Sequence, residues 1–313
     1  MNRILVGVFA ILYLVAALQL PNGDWDAWAI WNLRAKFLYY FDDPRVAFQA
    51  VRDWPHLDYP PLLPLLVSYG WRIFGMSEFV PIVLHGAAYI AILWLLSSDW
   101  WAVVLFGIVG LRYAPTQYAD TPLALCLLGA VIAQTKKRET LAGLLLGTGA
   151  LLKNEGLLFV VLFLVVQLAS ERKLSFQVLR GLALPLVALF VFKFTLVIEE
   201  NDLLGTTGKL ERVIDLTRYP VIVKNFIIGF FSFASGAVIL LVLWGVVLEA
   251  RVSLRSPIAL LLVLTFLSYL AIYAITPHEV SWHVTHSLDR LLYQVFPLGI
   301  LLVSEGVRTR HPE

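Results

Sequence analysis

The polar residues able to do chemistry in this chain fall in short stretches, each set in apolar surroundings. Asp24 and Asp26 stand among indoles in Gly23-Asp24-Trp25-Asp26-Ala27-Trp28. Carboxylates so placed are partly desolvated, which makes them better proton acceptors and candidate general bases. Either one would serve equally well as the N-cap of a following helix. In His56-Leu57-Asp58-Tyr59-Pro60-Pro61-Leu62 two prolines fix a polar cluster before an apolar helix, a clamp suited to a ligand. A helix start explains the prolines but leaves His56, Asp58 and Tyr59 without a role. Asp120, in Tyr118-Ala119-Asp120-Thr121-Pro122, opens another helix, either as its N-cap or as a further acid of the site. Lys153-Asn154-Glu155-Gly156 interrupts an apolar stretch from Leu141 to Val166. Charge in so tight a turn near lipid is costly and marks Lys153 and Glu155 as candidates, with a lysine snorkelling to the headgroups as the alternative.

The segment 276–290 holds three of the chain's six histidines, His278, His283 and His286, with Glu279, Asp289 and Arg290. His283 and His286 are three apart, so on a helix they share a face and with His278, Glu279 or Asp289 become metal candidates, although the spacing matches no strong zinc signature. Arg290, entering the next apolar run, is a suitable partner for a phosphate at headgroup depth. Lys193 sits inside an apolar run near its end and is read as snorkelling.

The elements that carry these residues follow from composition. Of 313 residues 59% are apolar and 15% charged, and the mean hydropathy is +0.79, a balance that soluble domains do not reach. The expected fold class is therefore all-α and polytopic in a membrane, a single membrane domain over 1–313 without a large soluble domain. Apolar runs at 4–20, 79–97, 100–113, 121–135, 140–152, 156–170, 176–198, 225–248, 257–275 and 291–305 give about ten transmembrane helices. The first run is read as a span rather than a signal peptide, since no small-residue cleavage site precedes Pro21. With 24 basic and 22 acidic residues the net charge is +2, so nothing argues for a nucleic-acid partner, and none is expected. The single cysteine, Cys126, cannot form a disulfide within the chain. No phosphate-cradling glycine loop, dinucleotide fingerprint or nucleophile elbow is present, so soluble nucleotide chemistry is unsupported.

Short basic loops at Lys136-Lys137-Arg138, Arg172-Lys173, Arg251 to Arg255 and Arg308 to Arg310 fall at alternate span ends and are expected to be cytoplasmic, as are both termini. The intervening segments 21–78, 114–120, 153–155, 199–224 and 276–290 then face the other compartment. In the first of these, 21–78, residues 26–41 read as an amphipathic juxtamembrane helix with Trp28, Trp31, Phe37, Tyr40 and Phe41 at the interface, and 61–75 as a second. The acids, Lys153, Arg290 and the aromatic residues all collect on this one face. A site there would use a lipid-linked substrate from the outer leaflet.

The arrangement resembles the GT-C superfamily of integral-membrane glycosyltransferases, in particular the branch of protein O-mannosyltransferases and the lipid A aminoarabinose transferase. The resemblance rests on Asp24-Trp25-Asp26-Ala27-Trp28 after the first span, Tyr59-Pro60-Pro61-Leu62 running to Phe74-Gly75, Tyr118-Ala119-Asp120-Thr121-Pro122, and Leu152-Lys153-Asn154-Glu155-Gly156. The chain departs from the pattern in having Asp26-Ala27 where some relatives carry Asp-Glu, and Tyr59 where some carry a lysine. The resemblance implies an inverting hexosyl or pentosyl transfer from a polyprenyl-phosphate donor to a lipid, glycan or protein acceptor, in the bacterial inner membrane. It makes Asp26 the base, with Asp24 and Asp120 in support, Lys153 and Arg290 on the phosphate, and Tyr59, His283, His56, Asp58 and Glu155 around the substrate. No cofactor is required on this reading, and a divalent metal enters only through His278, His283 and His286. The competing expectations are a lipid or solute transporter, against which most charges sit at span ends rather than at midplane depth, and a non-catalytic assembly subunit.

Overall fold

The computed structural model describes residues 1–49, 56–196 and 207–310. Parts of two expected outer segments, 50–55 and 199–206, lie outside the described residues. Among the described residues the chain is all-helical, and its contacts gather into two compact units, Met1–Glu199 and Glu200–Glu313.

The apolar runs of the sequence are helical, and the run 225–248 is broken into two helices. In the first unit these are α1 (Asn2–Gln19), α5 (Phe79–Leu95), α6 (Trp100–Tyr113), α7 (Asp120–Thr135), α8 (Glu139–Leu152), α9 (Asn154–Glu171) and α10 (Phe176–Thr195). Between α1 and α5 lie a π-helical turn at Ala27–Trp31, α2 (Asn32–Tyr40), the short α3 (Arg45–Gln49) and α4 (Leu62–Phe74). The second unit holds α11 (Lys209–Ile214), α12 (Arg218–Ser232), α13 (Ala237–Val247), α14 (Pro257–Ile275) and α15 (Val280–Arg310).

Among the described residues five helices are long and apolar enough to cross a membrane, namely α1, α9, α10, α14 and α15, or six when α12 and α13, bent by 78°, count as one. The helices α5 to α8 have 14 to 17 residues, or ~21–26 Å at 1.5 Å per residue, short of a ~30 Å hydrocarbon core. Apolar side chains cover the outside of the long helices: Ile4, Ile11 and Val15 on α1, and Leu184, Val187, Phe190 and Phe194 on α10, are all more than half exposed. Such surfaces fit lipid rather than water, and support reading the chain as a membrane protein.

Where sequence suggested an outer loop at 276–290 and a span at 291–305, the structure has one 31-residue helix beginning at Val280. No breaker separates the two stretches, and the Glu279 carboxylate accepts the backbone N–H groups of Ser281 and Trp282 at 2.8 and 2.5 Å, starting the helix at Val280 rather than at 291.

Two hydrogen bonds show which segments meet the two ends of α1. Asn2 Nδ2 donates to the Ser97 carbonyl at the foot of α1, and Gln117 Nε2 donates to the Pro21 carbonyl at its head. Thus α5 ends and α6 begins beside the N-terminus, and α6 delivers residues 114–120 to the end where α1 gives way to Pro21.

The most extensive helix packing, α8 on α10, is a backbone contact made possible by glycine. A Cβ at Gly181 would lie 2.1 Å from the Thr140 carbonyl oxygen, and one at Gly143 would lie 2.1 Å from that of Val178. Small residues at such crossings let helices approach where no hydrophobic drive joins them in lipid. Gly181→Ala is expected to lower stability by about 1–3 kcal/mol through forced separation of the two helices. Thermal unfolding in detergent checks this, with Gly7→Ala, where nothing lies within 4 Å, as the harmless control.

Candidate functional site

The site residues of the first unit are brought together by the turn that leaves α1. Gly23 adopts φ +70°, and a Cβ there would lie 2.6 Å from the Thr116 carbonyl oxygen, so only glycine lets the chain pass so close. Asp24 N then donates to that same oxygen at 3.0 Å. Gln117, itself buried with φ 61°, completes the hook: its Oε1 accepts from Asn32 Nδ2 at 3.0 Å while its Nε2 holds Pro21. The Asp24–Asp26 segment is therefore tied to the corner that leads into Asp120.

Asp26 is half-buried at the start of the π-helical turn and makes no capping bond to it through its side chain. Asp24 is exposed, its Oδ1 accepting from Trp25 N at 2.7 Å. The indole shielding expected for both acids is absent at Asp24, because Trp25 and Trp28 turn outward and pack edge-on against each other, centroids 4.5 Å apart. Trp31, expected at the interface, is instead only 1% exposed. It stacks on Tyr59 at 5.3 Å, and Tyr59 stacks in turn on His56 at 4.5 Å. This three-ring stack anchors the His56–Leu62 clamp to the π-helical turn.

Two charged clusters lie below. In the first, Lys153 Nζ sits 3.0 Å from Asp120 Oδ1 and 2.9 Å from Glu155 Oε1. Asp120 is the first residue of α7 rather than its N-cap, and its carboxylate goes to lysine. Lys153 joins α8 to α9 in extended conformation and is 4% exposed, so it does not snorkel. The turn is this tight because Gly156 packs onto the backbone of Gly149, whose carbonyl oxygen a Cβ would meet at 2.1 Å. One ammonium against two carboxylates gives this cluster a formal charge of −1.

In the second cluster Lys193 donates to the Asp58 carbonyl and to Asn154 Oδ1, the latter at 3.0 Å. Asn154 Nδ2 donates to Asp58 Oδ2 at 2.6 Å. Arg34, 2% exposed, donates to the His56 carbonyl at 2.5 Å and lies over the Phe48 ring. Burial pushes its guanidinium down to about 10, opposed by the charges of Asp58 and Tyr59, so it stays cationic at neutral pH. Two cations against one carboxylate give a formal charge of +1. The two clusters join through the adjacent residues Lys153 and Asn154. Arg34, Asn32 and Gln117 were not marked by sequence, and Lys193, expected to snorkel, is bonded instead; a lone cation or amide in a helix or turn does not name its partner.

The remaining candidates belong to the second unit, His278 and Glu279 just before α15 and the others on its first three turns. His283 Nδ1 bonds Thr276 Oγ1 at 2.7 Å and its ring meets Tyr273 edge-on. His286 stacks on Trp282 and bonds the Trp282 carbonyl at 2.7 Å. His278 meets the His283 ring edge-on at 5.4 Å. The metal candidates His278, His283 and His286 are thus corrected: among the described residues no group of three or more His, Cys, Asp or Glu is arranged to hold a metal ion. Sharing a helix face did not aim the two rings at one point, since each found a nearer hydrogen-bond partner. Arg290 is half-buried on α15. Arg212 and Arg218, not singled out from sequence, donate to the Ile275 and Thr276 carbonyls at 2.9 and 2.8 Å and hold the turn before α15. Comparison of the chain with protein-family models, with curated proteins and with solved structures gives no match.

Proposed function

We propose that the protein is an inverting glycosyltransferase of GT-C type that moves a sugar from a polyprenyl-phosphate donor to an acceptor hydroxyl or amine. The observation that carries this reading is the convergence, at one end of a bundle of apolar helices, of an accessible acid loop and two buried clusters of opposite sign. On this reading α1, α5 to α10, the bent pair α12–α13, α14 and α15 make ten crossings, both termini are cytoplasmic, and the site faces outward from a bacterial inner membrane.

Asp26 accepts the acceptor proton as the acceptor oxygen or nitrogen attacks the anomeric carbon. The bond from that carbon to the phosphate oxygen breaks with inversion, and the electron pair leaves on the lipid phosphate. A phosphate leaving group is weakly basic and needs charge stabilisation rather than a general acid. Lys153 is engaged by two carboxylates at 3.0 and 2.9 Å, so its task is to order Asp120 and Glu155 beside the acceptor. The excess positive charge belongs to Arg34 and Lys193, which suit the donor phosphate, with Tyr59 and His56 lining the approach. Asp58 and Asn154 hold Lys193 in place. On this reading no divalent metal is required.

The test is transfer of radiolabel from a panel of polyprenyl-phosphate sugars by the purified protein in nanodiscs, with and without chelator. The expected result is label in an acceptor fraction, indifferent to chelator. A transport reading draws on the 78° break between α12 and α13, since discontinuous helices often form transport sites. Protein-dependent flux of donor across vesicles, with no transfer from any donor, would replace the enzyme by a transporter.

A further inference from the structure

We propose that the end of the first unit opposite the candidate site is a binding surface for anionic phospholipid, whose phosphate is held among Lys136, Lys137, Arg138, Arg172, Lys173 and Arg180. Two loops meet at this end, 136–138 between α7 and α8 and 172–175 between α9 and α10. Side chains lace them together. Gln134 Nε2 donates to Glu171 Oε1 at 3.2 Å, and Ser175 Oγ donates to Glu139 Oε2 at 2.5 Å. The close approach of Gly181 to the Thr140 carbonyl brings the neighbouring Arg180 beside the start of α8. Cations from two loops and a helix are thereby gathered on one surface of a single compact unit.

Charge and its apolar flank decide the ligand. All six cations are exposed, and among the described residues none of them is ion-paired with a carboxylate. The two acids of these segments, Glu139 and Glu171, are engaged by Ser175 and Gln134, and the surface carries a formal charge of +4. Lys137 and Arg172 stand at φ of 58° and 57°, in the left-handed region where a helix end favours glycine, so each loop keeps a cation at a position that does not favour one. Directly beside the cations the surface turns apolar: Leu141 and Leu144 on α8, and Phe176 and Leu179 on α10, are exposed. Cations edging an apolar helix surface match the step from a phosphate to its acyl chains. An acidic soluble segment would match the charge and leave the apolar flank uncovered.

Native mass spectrometry of the full chain in detergent, with dioleoyl-phosphatidylglycerol or dioleoyl-phosphatidylcholine added, tests this. Wild type is expected to retain phosphatidylglycerol about fivefold to thirtyfold better than phosphatidylcholine, the range for one to two cations on the headgroup. Changing Lys136, Lys137, Arg172 and Lys173 together to Gln should bring that preference close to unity. The charge-keeping exchange Lys136→Arg, Lys137→Arg, Arg172→Lys and Lys173→Arg should preserve it; both variants alter exposed side chains only. Arg251→Gln with Arg255→Gln, exposed cations of the second unit, should leave the preference within about twofold of wild type, since they lie outside this surface. Equal retention of the two lipids by wild type, a preference unchanged in the four-Gln variant, or an equal loss in the Arg251 and Arg255 variant would overturn the proposal. So would displacement of the lipid by glycerophosphoglycerol, the headgroup without its chains, which would assign the surface to soluble anions. The readout is binding, so it stands whether or not the protein transfers a sugar.

Discussion

Lys153→Met is expected to destabilise the protein by about 3–5 kcal/mol, the range for removing one partner of a buried ion pair. The Lys153 and Asp120 side chains are 5% and 4% exposed, and Glu155 is 18% exposed. Without the ammonium, two carboxylates remain close together and largely out of water. Each lies in the first turn of a helix, Asp120 on α7 and Glu155 on α9, and the helix dipoles offset only part of that cost. Asp120→Asn should be milder, because Glu155 still meets Lys153 at 2.9 Å. Combining the two substitutions should recover part of the loss, since the double variant removes one of the stranded charges. Thermal or denaturant unfolding in detergent decides it. Equal, small effects of Lys153→Met and Asp120→Asn would mean that the cluster is solvated and the lysine replaceable.

Asp26→Asn is expected to slow sugar transfer by about 10²–10⁴-fold, the usual contribution of a general base. The substitution keeps shape and removes only basicity. Asp26 is half-buried, so thermal unfolding of the variant is measured beside turnover, and the loss of transfer counts against a variant that stays folded. Retention of the donor should be unchanged, because the phosphate contacts proposed at Arg34 and Lys193 come from other elements. Asp24→Asn, at an exposed position, should cost far less. Turnover by Asp26→Asn at the wild-type rate, with Asp120→Asn inactive and folded, would move the base to Asp120.

Much of the scaffold was legible because its signals are local. Apolar runs marked the helices, Pro60-Pro61 preceded α4, and Pro122 fell in the first turn of α7. Length was less legible: α5 to α8 are shorter than a span, and α15 absorbs a segment that read as a loop. A row of polar residues does not end a helix when a Glu279 cap starts it and the Ser287 hydroxyl donates within it, to the His283 carbonyl. The aromatic residues of the first loop were the least legible. Trp28 and Trp31 share composition and neighbourhood, yet one is exposed and the other is the base of the stack with Tyr59 and His56, because a helical turn sends residues three apart to positions that only packing partners distinguish.

The sequence alone determined that the chain is built of apolar helices, and it marked Asp24, Asp58, Asp120 and Lys153 as residues of one set of loops, since hydropathy, breakers and the alternation of basic loops are properties of neighbouring residues. Tertiary structure alone decided who pairs with whom. Lys153 meets Asp120 across 33 positions, Asn154 meets Asp58 across 96, and Lys193 meets Asp58 across 135. Those meetings depend on glycines that let α8 approach α10 and on a single hook at Gly23. A charged group in an apolar surrounding must find a partner, but which partner is set by the packing of helices that are far apart along the chain.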